Sequence, residues 1–355
     1  MRGLVLAGVR RIEVRDDLPE PVLEQPTDAI VRVLLAGVCG SDLHPWAGRE
    51  PFRPGVVPGH EVVGEVTAVG PDVTSFGVGD RVVVPFTTSC GTCPACRRGL
   101  SSRCEHGQLF GWGDPDPDGS VLHGGQAEAL RVPLADGTLL ALPERLDLAT
   151  GVLLADNLPT GWYAALRAQV VPDEPALVLG CGAVGLCAVV ALHAMGARPV
   201  VATDPIRERR DRAARLGARA TAAQDVDEVV AELTAGEGVP SVVDAAGSTS
   251  ATAAALRCLR PGGTLQVVAV PTRPELDLSP VEAYDRNLTL RFGRAPVRSL
   301  LDDVVAAVLD GRLRAPAQHL VTGPPLPLEA GAEAYERAAS GADGVGKLLL
   351  DPSLS

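Results

Sequence analysis

The chain has 355 residues, a formal net charge of −12 and a hydrophobic fraction of 46%. At roughly 100–200 residues per domain that length fits two domains, and the apolar content excludes wholesale disorder, because enough surface can be buried to offset ordering entropy. The acidic balance excludes a broad nucleic-acid-binding face, which needs clustered Lys and Arg.

Taken in order, the chain opens on an apolar run too short for a signal peptide, with charges following at once. The first 150 residues then read as β-rich. Short runs at 29–35, 62–69 and 81–84 are punctuated by Gly, Pro and Asp. A cysteine-dense segment follows, and then a turn-rich acidic loop at 114–119, read as exposed. From Pro175 the texture changes to β-branched strands alternating with Ala/Arg/Leu-rich helices. Strands are predicted at 176–179, 199–203, within 239–245 and at 265–270, and helices at 183–195 and 207–216. That alternation implies an α/β domain with a parallel sheet covered on both faces. A helix at 300–309, a Pro-rich connector at 323–328, another helix and a strand at 347–350 complete the chain. The apolar stretch from Leu186 to Ala194 is too short to span a bilayer, so a cytoplasmic protein without a membrane partner is expected. One lysine, Lys347, stands among 32 basic residues. This resembles the coding bias of a GC-rich bacterial genome and speaks to origin, not function.

Gly180-Cys181-Gly182-Ala183-Val184-Gly185 is G-x-G-x-x-G placed directly after an apolar strand and at the start of an apolar helix. In that context Gly180 permits the tight turn, Gly182 lets backbone N–H groups approach a pyrophosphate, and Gly185 allows close helix–sheet packing. Asp204 ends the next strand about twenty residues on, where a carboxylate accepts the adenine-ribose hydroxyls. A carboxylate there repels a 2′-phosphate, so NAD is favoured over NADP. Arg207, Arg209 and Arg210 are near enough in sequence to clamp a phosphate, or are a solvated helix face.

Cys90-x2-Cys93-x2-Cys96-x7-Cys104 offers four thiolates in one loop, the donor set of a closed structural zinc site. His106 is nearby but not needed once four sulfurs are counted. A second set is dispersed: Cys39-Gly40-Ser41-Asp42-Leu43-His44 and Gly59-His60-Glu61-Val62-Val63-Gly64. A catalytic zinc keeps three protein ligands and an open position. Cys39 and His60 supply two, and spacing alone identifies no third.

These motifs resemble the zinc-dependent alcohol dehydrogenases of the medium-chain dehydrogenase/reductase superfamily, over essentially the whole chain. Gly59, His60, Glu61, Gly64 and Gly70 meet the family's zinc signature, and the four-cysteine lobe and dinucleotide fingerprint follow in the family's order. The resemblance implies a GroES-like β-rich catalytic domain at 1–153 and 294–355, carrying a zinc lobe at about 88–106, and a Rossmann domain at 154–293. It implies two zinc ions per chain, one catalytic and one structural, and a homodimer or homotetramer. It puts the third catalytic ligand at Asp156, in a D-x-L-P-T-G string similar to the formaldehyde dehydrogenase branch. The alternative is that Asp156 caps a helix beginning near Pro159. Glu61 resembles the family's carboxylate that approaches the metal, and Asp42 the acid that holds the histidine's other nitrogen. Ser41 and His44 resemble its proton relay, and Lys347 is placed near the pyrophosphate. The activity implied is hydride transfer between an alcohol, or its aldehyde or ketone, and NAD. A polyol or a natural-product alcohol is an alternative substrate. A non-catalytic zinc- and nucleotide-binding protein is the alternative of a different class. Trp46, Phe52, Phe110, Trp112 and Leu158 are candidates for the substrate wall.

Overall fold

The computed structural model describes residues 1–112, 121–271, 278–314, 317–341 and 344–355; the acidic loop at 114–119 lies outside them. The strands in chain order are β1 Gly3–Gly8, β2 Arg11–Arg15, β3 Ala29–Val38, β4 Val62–Val69, β5 Arg81–Val84, β6 Ala129–Val132, β7 Leu140–Ala141, β8 Ala176–Leu179, β9 Val200–Thr203, β10 Arg219–Thr221, β11 Val239–Asp244, β12 Leu259–Val267, β13 Thr289–Phe292 and β14 Leu348–Leu350. The chain divides into two compact units. One holds Met1–Asp156, Pro296–Val305 and Val321–Ser355, and the other Asn157–Ala295 and Ala306–Leu320. The sequence reading put 294–355 wholly with the first; residues 306–320 pack with the second.

In the first unit β14, β3, β4, β5 and β7 form an antiparallel sheet in that order, with β6 also paired to β3. Alternating Val and Ala on these strands bury one face in a core that includes Val31, Val33, Val66, Val82, Val84 and Leu130. A second core, built around Trp46 and Tyr335, joins the β1–β2 hairpin to β14 and the helix Gly331–Ser340. Trp46 and Phe110 are 2% and 1% exposed, so both are core and not the substrate wall first considered.

In the second unit the sheet runs β10-β9-β8-β11-β12-β13, all parallel. This is the doubly wound order whose connections reverse between its first strand, β8, and its fourth, β11. β8, β9 and β11 are buried at every position, as continuous apolar strands between two helical layers must be. The strand expected at 265–270 instead spans Leu259–Val267, because Pro261-Gly262-Gly263 reads as a turn in sequence. Among the described residues, no helix is long and apolar enough to cross a membrane.

Candidate metal centres and nucleotide-binding turn

The order of strands in the first sheet assembles the dispersed set. Cys39 follows the last residue of β3, Glu61 precedes the first residue of β4, and Lys347 precedes β14. Since β14, β3 and β4 are neighbours and antiparallel, these three ends meet at one end of the sheet. The helix Leu148–Ala155, capped by Asp147 through the Thr150 N–H at 2.6 Å, packs on β3, β4 and β5 and delivers Asp156 to the same place. The helix after Asp156 starts at Asn157, not near Pro159.

Cys39 Sγ, a ring nitrogen of His60 and carboxylate oxygens of Glu61 and Asp156 lie within 4.8 Å of one another, and all four residues are buried. Cys39 Sγ is 3.7 Å from Asp156 Oδ2. His60 Nδ1 is 3.1 Å from Asp42 Oδ1, which leaves Nε2 facing the cluster, 3.1 Å from the Ser41 hydroxyl. Burial pushes the Cys39 thiol up, with Glu61 adding to the rise. Burial opposes charge on His60 too, yet Asp42 and Cys39 lift its pKa well above the ordinary value. Lys347 offsets only one of the two buried carboxylates in this cluster, and the Cys39 thiol, the His60 nitrogen and the Asp156 carboxylate form a mixed soft and hard donor set that fits zinc. Phe86 and Trp112 stand edge-on to His60 with ring centroids 6.4 and 6.1 Å away, so the wall candidate Trp112 borders the cluster. Leu158 is buried in the second unit, and Phe52 packs on the Trp46 core.

Two residues of this network, Gln126 and Tyr335, carry no motif. Asp42 Oδ2 accepts from the Cys39 N–H at 2.9 Å and from Gln126 Nε2 at 3.3 Å, and Gln126 Oε1 accepts from Tyr335 Oη at 2.8 Å. Lys347, placed at the pyrophosphate by sequence, is instead 2% exposed with Nζ 2.6 Å from both Glu61 carboxylate oxygens and 3.2 Å from the Val38 carbonyl. Burial works against that ammonium, but Glu61 and Cys39 carry its pKa above the ordinary value. His44 lies in the short helix Leu43–Trp46, its Nδ1 3.6 Å from Glu50 Oε1, and burial followed by Arg49 lowers its pKa.

Cys90, Cys93, Cys96 and Cys104 form the other cluster within the same 4.8 Å limit. Cys104 Sγ is 3.5 Å from Cys90 Sγ and 3.9 Å from Cys93 Sγ. A zinc tetrahedron with bonds near 2.3 Å needs sulfurs about 3.8 Å apart. Against burial, the Thr92 hydroxyl and the N–H groups of Thr92 and Cys93 hold Cys90 down to about 6, while burial sends Cys96 up to about 12. Four sulfurs this close become thiolates together only around a cation. His106 is exposed and outside the cluster.

In the second unit Gly180 takes φ +91°, and a Cβ at Gly185 would sit 1.8 Å from the Gly180 carbonyl oxygen. A Cβ at Gly182 would meet nothing within 4 Å. The space before the N-terminus of the helix Ala183–Ala194 is thus open, a cradle for an anionic phosphate with Ala183 and Val184 in the first turn. Asp204, 4% exposed, accepts from the Cys181 N–H at 2.9 Å and the Ile206 N–H at 2.8 Å. Arg209 Nη1 is 3.9 Å from Asp204 Oδ2, and Arg210 donates to the carbonyls of Asp204 and Pro205.

Residues 25–144 match the alcohol dehydrogenase GroES-like domain family, and residues 183–298 the zinc-binding dehydrogenase family. Over 344 residues the chain is 38% identical to a probable zinc-binding alcohol dehydrogenase of Mycobacterium tuberculosis, covering 96% of this chain and 86% of that protein. The solved alcohol dehydrogenase from Thermus sp. ATN1 is 37% identical, with a TM-score of 0.91 over 99% of both chains. Two further solved structures contain nucleotides. An alcohol dehydrogenase from Escherichia coli CFT073 is complexed with NADH (25% identity, TM-score 0.84, 99% of both chains). A zinc-binding dehydrogenase from Sinorhizobium meliloti 1021 is bound to NADP (25% identity, TM-score 0.83, 99% of both chains).

Proposed function

Because the chain belongs to the zinc-dependent alcohol dehydrogenase family of the medium-chain dehydrogenase/reductase superfamily, and is thereby a zinc-dependent oxidoreductase acting on alcohols, we propose that it moves hydride between a small alcohol, or its aldehyde or ketone, and NAD. The observation that carries this reading is the convergence of Cys39, His60 and Asp156 at the end of the first sheet. In this reading they hold a catalytic zinc, and Cys90, Cys93, Cys96 and Cys104 hold a structural one. Zinc supplies a Lewis acid that lowers the pKa of an alcohol or polarises a carbonyl, and NAD supplies the hydride acceptor.

The chain's own groups do the rest. Asp42 fixes the His60 ring through Nδ1 so that Nε2 serves as ligand. The Ser41 hydroxyl, 3.1 Å from that Nε2, both accepts and donates, and so takes the proton an alcohol loses. His44, held neutral near pH 7 by its burial, is the base that receives it. Asp204 is the residue this reading assigns to the adenine ribose hydroxyls, and its buried carboxylate supports NAD over NADP. The same reading gives a cytoplasmic homodimer or homotetramer whose partners are small alcohols and aldehydes.

A panel of primary, secondary and polyhydric alcohols, followed at the absorbance of reduced nicotinamide, tests it. Turnover is expected to be faster with NAD than with NADP, and Asp204→Ala to narrow that gap. A wild type that prefers NADP would mean that Arg209 and Arg210 outweigh the carboxylate.

A further inference from the structure

Lys347 is the one lysine in a chain with 32 basic residues, the rest arginine. It is also one of the most buried charges in the molecule, at 2% exposure, and pairs with Glu61 at 0%. An ammonium has three donors, and Nζ has three acceptors in reach: both Glu61 oxygens at 2.6 Å and the Val38 carbonyl at 3.2 Å. The backbone opposite is trimmed to admit this carboxylate, since a Cβ on Gly37 would stand 2.0 Å from Glu61 Oε2.

The Glu61 carboxylate is also within 4.8 Å of the ligand atoms of Cys39, His60 and Asp156. It therefore has two positive partners to choose between, the ammonium and a metal. With the Cys39 thiolate and the Asp156 carboxylate bound, the charge of a zinc ion is already balanced. A third anion would make the centre negative and fill the position that catalysis needs open. A guanidinium is planar and larger, with donors fixed in a fork, and does not converge on three acceptors around one point as an ammonium does.

We propose that Lys347 is a positioning residue that holds Glu61 off the catalytic metal and so keeps one coordination position open for substrate. This rests on the reading of Cys39, His60 and Asp156 as zinc ligands.

The test exchanges cobalt into the catalytic site and records its visible bands, whose intensity falls as coordination number rises. In Lys347→Met the freed Glu61 is expected to join the metal, weakening the bands and lowering kcat by about 10–100-fold, the usual scale for losing a group that orients a metal site. Lys347→Arg is expected to shift the bands in the same direction, because charge is kept but the three-point grip is not. Adding Glu61→Gln to Lys347→Met is expected to return the wild-type bands and to recover at least part of the lost turnover. Wild-type bands in folded Lys347→Met overturn the proposal, as do wild-type bands in Lys347→Arg should the methionine variant not fold. A change that persists when Glu61 is also replaced overturns it equally. A wild type that takes up no cobalt at this site would instead remove the metal-site reading beneath it.

Discussion

Asp156→Asn is expected to cut turnover by more than the roughly 10–100-fold typical of losing a residue that merely supports a metal ligand, with the fold intact. The substitution keeps shape and removes charge. An amide oxygen binds zinc poorly, so the centre would be left with Cys39 as its one anionic ligand. A helix cap, by contrast, survives the change, because Asn and Asp cap comparably. The position of Asp156 favours the first reading, since its Oδ2 lies 3.7 Å from Cys39 Sγ. Asp156→Cys is expected to recover part of the zinc retention by restoring a thiolate. Zinc content, circular dichroism and steady-state rates on the three proteins decide it. Full occupancy and near-normal rates in Asp156→Asn would leave Asp156 as a cap and make Glu61 the next candidate.

The second large effect separates the two centres. Cys93→Ser is expected to unfold or aggregate the protein, and Cys39→Ser to leave it folded and inactive. The lobe around Cys93 has little core of its own. Its helical turns, Pro94–Arg97 and Ser101–Arg103, are short, and Cys90, Cys96 and Cys104 are only half-buried. Structural zinc binds zinc-finger peptides with an apparent free energy of about 10–16 kcal/mol, which equals or exceeds the roughly 5–15 kcal/mol stability of a typical protein. Loss of that ion therefore threatens the fold. Cys39 instead follows β3 in a dense core, where a serine changes the metal site and little else. Melting curves and solubility of the two variants check this; equal loss of folding in both would contradict it.

Legibility in the sequence tracked the distance over which a feature is encoded. The four cysteines from 90 to 104 and the glycines at 180, 182 and 185 are local, so spacing and flanking elements announced them. The β-rich and α/β halves were legible from periodicity, and β4 and β5 from their turn-bounded apolar runs. The grouping of Cys39 with His60 and Asp156 was not legible from spacing and came from family resemblance, because it depends on which strands are neighbours. Lys347 was misplaced for the same reason. Only the pairing of β14 with β3, between residues more than 300 positions apart, brings it to Glu61. Gln126 and Tyr335 went unseen because a buried amide and a phenol carry no pattern until Tyr335 packs against Trp46 with ring centroids 6.1 Å apart.

Zinc content followed together with NADH formation and thermal stability, during dialysis against a chelator, tests the central claim most directly. The account predicts about two zinc ions per chain, the ion at Cys39, His60 and Asp156 leaving first because its site keeps an open position. Activity should fall in proportion to that first loss, with little change in melting temperature, and return when zinc is restored. Activity that survives the loss of the first ion, or a first loss that unfolds the chain, would contradict it.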